Sequence, residues 1–268
     1  MKEQIFSRAA SAFIACTLGM LISKEVSATV MSRPQNCEIL LSKGERVEAY
    51  LDHVFSFVEP GSTFLQRLRE AGFHVEMQRR HPGQGSENFL LWLDNIYLEW
   101  IWVSNPEEAR SNALRLDLRD PEYSIKENTS PFGVAVRARA KELLRSEEYF
   151  LYTPSYFENV QIAVRKEASV DREEFPFFFA IDYAGSPLEE ASAKRLKELH
   201  PNLFDHKNGA TKVLSIELTG PNYIENFSAN LKRVKVSNDS MHRMIIKTDG
   251  HYSPIAVTDS VTLMPEQI

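Results

Sequence analysis

Cysteine is scarce: the 268-residue chain has only two, Cys16 and Cys37. That rules out a disulfide framework and any four-cysteine zinc site, so metal chemistry falls to histidine and carboxylates. An excess of positive charge is also missing. Lys plus Arg number 31 against 37 Asp plus Glu, a net charge of −6 with the signs interspersed. No basic stripe is available to neutralise phosphates, and nucleic acid is not an expected partner. The apolar run "AASAFIACTLGMLI", residues 9–22, is shorter than the roughly 20 residues a membrane-spanning helix needs, so no stable span is expected. A Ser, His and acid arrangement with a nucleophile elbow is absent, which sets aside hydrolases of that type. What is present is an ordinary globular composition, 43% hydrophobic and 25% charged, enough for one large domain or two small ones.

The apolar run follows Lys2 and Arg8 and precedes "SKEVSATV", where Val26 and Ala28 have the small-residue spacing of a cleavage site. Residues 1–28 thus read as a signal-peptide-like segment, 29–48 as a polar lead-in and 49–268 as the folded part. Cleavage makes the protein periplasmic or secreted, with Cys37 as its one thiol. A start at Met31, or an amphipathic helix in place of the signal, leaves it cytoplasmic.

"LDHVFSFV" from Leu51 reads as a strand, with Leu51, His53, Phe55 and Phe57 on one face and Asp52, Val54, Ser56 and Val58 on the other. "STFLQRLREAG" is a short helix capped by Ser62 and ended by Gly72. Strands "FHVEMQRRH", "ENFLLWL" and "IYLEWIWV" follow, the last two joined by a turn at Asp94 and Asn95. The order βαβββ over about 51–104 makes one module. A second round begins with strand "FGVAVRA", helix "AKELLRSEEYF" and strands "NVQIAVRK" and "FPFFFAIDY". A third begins at "KVLSIEL", with "NYIENFSANL" as a helix, then "RVKVS", "HRMIIKT" and "AVTDSVTL". Residues 184–211 form a long connection, and the second half spans about 130–268. The expected class is α+β, an internally duplicated βαβββ fold.

Glu99, in "YLEWI", is the residue that needs an explanation, because a lone carboxylate in a sheet core is costly unless paired or bound to a metal. Pairing with Arg79 or Arg137, or an exposed face, would also satisfy it. Trp100 and Trp102 flank it in alternation and belong to the opposite face, as packing residues. "HPGQGSEN", residues 81–88, has two glycines that allow a tight turn. It lacks the strand-to-helix context of a phosphate loop.

Six segments in register, "LDHV", "HPGQGSEN", "YLEWI", "FGVAVR", "FPFFFAIDY" and "HKNGA", resemble the glyoxalase-like branch of the vicinal oxygen chelate superfamily across about residues 51–236. Lys207 stands where that family usually has proline, and Ser86 where it has threonine. The resemblance implies paired βαβββ modules whose curved mixed sheets surround a cup with a divalent metal on its floor, zinc, nickel, manganese or iron. His53 and Glu99 match the usual first-strand and last-strand ligands. Asp182 is the remaining carboxylate at a strand end, while Ser215, Gly133 or Val134 stands where a second-half histidine is sought. His81, Asn88, Phe55, Tyr97, His206 and Asn208 are candidates to contact substrate. His81, Asn88, His206 and Asn208 are equally readable as turn and loop structure.

Two functions are expected from this set. One is a metal-dependent lyase, isomerase or dioxygenase on a small oxygen-bearing substrate, with Glu99 as proton shuttle. The other is a metal-free protein that sequesters a small apolar molecule, which the missing second-half histidine favours. An exported interaction protein that uses the fold as scaffold is a third. Either a monomer or a homodimer can complete the cup.

Overall fold

The computed structural model describes residues 37–266 except 62, 120, 158–159, 167–175, 184–187, 189–191, 224–226 and 228. The signal-like segment 1–28 and the Ser62 cap lie outside the described residues. In chain order the elements are β1 (Cys37–Leu40), β2 (Arg46–Phe57), α1 (Phe64–Glu70), β3 (Glu76–His81), β4 (Ser86–Trp92) and β5 (Tyr97–Val103). Two short helices, α2 (Pro106–Ser111) and α3 (Pro121–Glu127), lead to β6 (Phe132–Arg137), α4 (Ala140–Leu143), β7 (Tyr149–Tyr152), β8 (Val160–Arg165) and β9 (Phe177–Tyr183). Helix α5 (Ser192–Leu199) precedes β10 (Val213–Gly220), β11 (Ala229–Asn230), β12 (Val234–Asn238), β13 (Arg243–Thr248), β14 (Ile255–Thr258) and β15 (Val261–Pro265).

The duplication is visible in the strand order, β3-β4-β5-β2-β6-β9-β8-β7. Each module places its first strand beside its last, in parallel: His53 lies opposite Tyr97 in one, and Gly133 opposite Phe177 in the other. The two first strands, β2 and β6, then join antiparallel at the centre. The result is a curved mixed sheet forming a half-barrel, an α+β fold of the cup type.

Strand β2 departs from simple alternation. Its register with β6 shifts between Leu51 and His53, where Leu51 faces Val136 and His53 faces Ala135. The extra residue, Asp52, forms a β-bulge, and a bulge reverses which face the following side chains take. Leu51 therefore packs with Val47, Ala49 and Val54 against the main core, while His53, Phe55 and Phe57 turn to the cup. This corrects the expectation that Leu51 shares the face of His53.

The second half is also more divided than its sequence pattern predicts. The second module ends with β9, and "AKELLRSEEYF" is helical only over Ala140–Leu143, its end becoming strand β7. Ala229 and Asn230, expected in a helix, pair instead with β1. "AVTDSVTL" contains two strands, β14 and β15. The third round is a separate five-stranded mixed sheet, β12-β10-β13-β15-β14. Its inner face (Val213, Ile216, Leu218, Met244, Ile246, Val261, Leu263) shares one core with Val54, Leu98, Trp100 and Val134. Trp100 and Trp102 lie in that core, as the alternation predicts. Asn95 ties the sheets together, donating through Nδ2 to Val213 O at 2.8 Å and accepting from Val213 N at 3.0 Å.

Candidate active site

The bulge brings two adjacent side chains to one place. Neighbours in a regular strand point to opposite faces, yet Asp52 Oδ2 and His53 Nδ1 are 2.8 Å apart, both buried. A carboxylate can only accept, so Nδ1 carries the proton, and Nε2 faces the cup. Glu99 enters from β5, its Oε2 3.3 Å from His53 Nε2. The pair is close enough for strong Coulombic attraction but poorly aligned, and Nε2 has no hydrogen-bond partner among the described residues. Asn88 of β4, diagonal to Glu99 on β5, donates through Nδ2 to Oε1 at 2.5 Å, while its own Oδ1 is buried with no partner among the described residues.

Burial by itself pushes the His53 imidazolium pKa down. The hydrogen bond to Asp52, followed by Glu99, outweighs it and holds the ring up at about 9. Burial likewise raises the Glu99 carboxyl, but the adjoining His53 imidazolium overcomes this and leaves it below its ordinary value. The pair is thus held as imidazolium and carboxylate.

Aromatic rings surround it. Tyr97 stacks on His53 at 4.2 Å, and Phe55 and Phe179 approach the same ring at 5.9 and 5.7 Å. Phe57, Phe177, Ile101 and Leu116 extend the apolar wall. On the other flank Leu90, Trp92 and Tyr97 are covered by Ala193 and Leu196 of α5 and by Phe204.

The "HPGQGSEN" turn closes one end. Gly83 and Gly85 both have positive φ, and a Cβ on Gly85 would meet Ala109 N at 2.4 Å, so glycine is required there. Gln84 Oε1 accepts hydrogen bonds from the hydroxyls of Tyr156 and Tyr152, both in the second module. Its Nε2 donates to Ser86 Oγ at 3.0 Å, and Ser86 meets His81 Nδ1 at 2.9 Å. His81 stacks on Tyr156 at 4.9 Å. Burial lowers the His81 pKa, against the pull of Glu99.

Of the residues singled out from sequence, His53, Phe55, Asn88, Tyr97 and Glu99 converge, with His81 at the edge. Three do not join them. Asp182 lies on the opposite face of β9 from Phe179, accepting from Arg139 at 2.9 Å and from the Ala140 backbone N at 3.1 Å, so it caps α4. His206 is a structural clamp, accepting from His74 N at 2.9 Å through Nδ1 and donating to Trp92 O at 2.8 Å through Nε2. Asn208 bridges Ala71 O and Ala210 N. Asp52, Gln84 and Tyr156 were not anticipated. The adjacent Asp and His inside an otherwise apolar strand were the available signal for the first.

A divalent ion is the cofactor implied by the resemblance. His53 Nε2 and Glu99 Oε2 offer two donors, and the orphaned Asn88 Oδ1 a weak third. Among the described residues the second module offers none at the matching positions, where Gly133, Ala135, Phe177, Phe179 and Ile181 stand. Among the described residues no three His, Cys, Asp or Glu side chains are placed to hold one ion together. Catalytic zinc ordinarily takes three protein ligands. The described donors therefore do not fit a firmly held ion.

Residues 51–148 match the family model of the glyoxalase-like domain. No curated protein matches the sequence. Among solved structures, a hypothetical protein from Staphylococcus aureus aligns with a TM-score of 0.55 at 14% identity, covering 81% of this chain and 99% of that one. A methylmalonyl-CoA epimerase in complex with methylmalonyl-CoA and NH4+ aligns at 0.38 and 12% identity, over 52% of this chain and 99% of its own. A hypothetical protein from Bacillus halodurans C-125 aligns at 0.35 and 9% identity, over 52% and 97%. The likeness to the glyoxalase-like domain thus covers the first module and the opening strand and helix of the second.

Proposed function

We propose that the cup binds a small oxygen-bearing substrate and that the protein is an isomerase or lyase that moves a proton on it without a resident metal. The observation that carries this reading is the line Asp52–His53–Glu99 inside an aromatic enclosure. Glu99 would take a proton from a carbon next to a carbonyl. On an α-hydroxy carbonyl compound the electron pair would pass to the carbonyl oxygen, where the Nε2–H of His53 would hold the charge; Glu99 would then return the proton to the former carbonyl carbon while the hydroxyl proton crosses to the charged oxygen, leaving the first carbon as the new carbonyl. Asp52 keeps the ring oriented and charged. The apolar surroundings strengthen both interactions.

The test is deuterium incorporation by NMR in D2O across a panel of dicarbonyl compounds and glutathione adducts. Wild type exchanges a substrate proton, and Glu99→Gln lowers the rate by about 10²–10⁴-fold. Near-stoichiometric metal in protein purified without chelators, lost in a His53→Ala/Glu99→Ala variant, would overturn the metal-free mechanism.

The second reading is sequestration of a small molecule. The apolar cup face of the second module, Phe177, Phe179 and Ile181, favours it. Saturable binding without any exchange would select it. Export belongs to both readings as a proposal, on the N-terminal pattern, and sequencing of the mature N-terminus tests it.

A further inference from the structure

Away from the cup, a cleft of about 1030 Å³ opens between the C-terminal end of α1, the turn at Lys207 and Asn208, and the loop from His251 to Ala256. Its walls are braced against one another. Asn208 Nδ2 donates to Ala71 O at 2.8 Å, and His251 N donates to Asn208 O at 2.8 Å. Gly72 lies so close to the turn that a Cβ there would stand 3.0 Å from Asn208 N.

The charge in this cleft is unbalanced. Arg67, Arg69 and Lys207 line it against a single carboxylate, Glu70. Glu70 already accepts from Gln66 at 2.7 Å, and Arg67 is held by Thr63 Oγ1 at 2.8 Å and Ala256 O at 2.7 Å. Arg69 and Lys207, both exposed, have no side-chain partner among the described residues. Basic residues in a last helical turn offset the negative end of the helix dipole, which accounts in part for Arg67 and Arg69. It does not account for Lys207, which arrives at the same cleft on a different segment. Like charges gathered in one concavity repel unless an anion is shared between them.

We propose that this cleft binds a phosphorylated small molecule, with Arg69 and Lys207 sharing the phosphoryl oxygens, Arg67 beside them and the uncharged part against Tyr252 and Pro254. A phosphoryl group suits two cations on separate segments better than a single carboxylate does, because it brings close to two charges and three acceptor oxygens. The cleft is larger than one phosphate needs, which leaves room for the body of the molecule. This site is independent of the chemistry in the cup.

The full chain is titrated calorimetrically with inorganic phosphate, pyrophosphate and AMP, with sulfate at matched ionic strength as control. The same titrations are run on an Arg69→Gln/Lys207→Gln variant and on the His53→Ala/Glu99→Ala cup variant. Expected are saturable binding of at least one phosphate probe in preference to sulfate, retention in the cup variant, and weakening by about tenfold or more in the cleft variant. Absence of saturable binding, equal response to sulfate, unchanged affinity in the cleft variant or loss in the cup variant would each overturn the proposal.

Discussion

At the residue scale, His53 is the buried cation of the proposed site, and Asp52 does most to hold its charge. An imidazolium with 2% of its surface exposed survives only because two carboxylates face it. Its folded pKa, about 9, lies above the ordinary value of 6.5. Its contribution to stability is therefore complete below about pH 6.5 and lost as pH rises through about 9. Glu99 works in the other direction. Its lowered carboxyl contributes above the ordinary value and loses that contribution as pH falls through the depressed one. Thermal unfolding followed from neutral to alkaline pH is expected to show a falling midpoint. Replacing Asp52 by Asn should lower the His53 titration midpoint by about one unit or more, read from its ring protons by NMR, and shift the alkaline decline to lower pH. Asp52→Ala should cost roughly 3 kcal/mol, the usual loss when one member of a buried ion pair is removed. An unchanged midpoint in Asp52→Asn would mean that Glu99 alone holds the proton.

Among the elements, strand β6 matters because of what it withholds. Gly133 faces Phe55 across the central pair, and a Cβ there would be 2.2 Å from Phe55 Cζ and 2.5 Å from Phe177 O. The absent side chain makes room for Phe55 in the cup wall. Gly133→Ala should lower stability by roughly 1–3 kcal/mol through overpacking, with Phe55 driven toward His53. Urea unfolding checks it, as a shifted midpoint at unchanged slope. A neutral result would show that β6 can retreat from β2. The turn from His81 to Ser86 has a comparable role, since Gln84 links the first module to Tyr152 and Tyr156 of the second.

For the whole molecule, the two modules share one core with the second sheet. The inner face of the second sheet, from Val213 to Leu263, completes the core beneath Val54, Leu98 and Trp100. A chain ending at Ala210 would leave that surface in water, at a loss of roughly 25 cal/mol for each Å² of apolar area uncovered. Such a chain should lose cooperative unfolding and near-ultraviolet circular dichroism while binding a hydrophobic dye. A sharp transition in the truncated chain would show instead that the paired modules fold alone.

Much of this was legible from residue order. The first βαβββ module, the restart at Phe132, the opposition of Glu99 to Trp100 and Trp102, and the turn glycines all follow from local periodicity and backbone preference, which a single chain segment sets for itself. The convergence of His53, Glu99, Phe55 and Tyr97 followed once two parallel strands were placed side by side. Tertiary structure decided the rest. A bulge at Asp52 exists only relative to the register of a neighbouring strand, so the face of Leu51 and the Asp52–His53 bond could not be read from alternation. Asp182, His206 and Asn208 carry donors and acceptors that suit a site or a cap equally well, and packing alone selected the cap and the clamps. Gln84 meets Tyr156 across 72 residues of chain, a distance over which no local pattern has force.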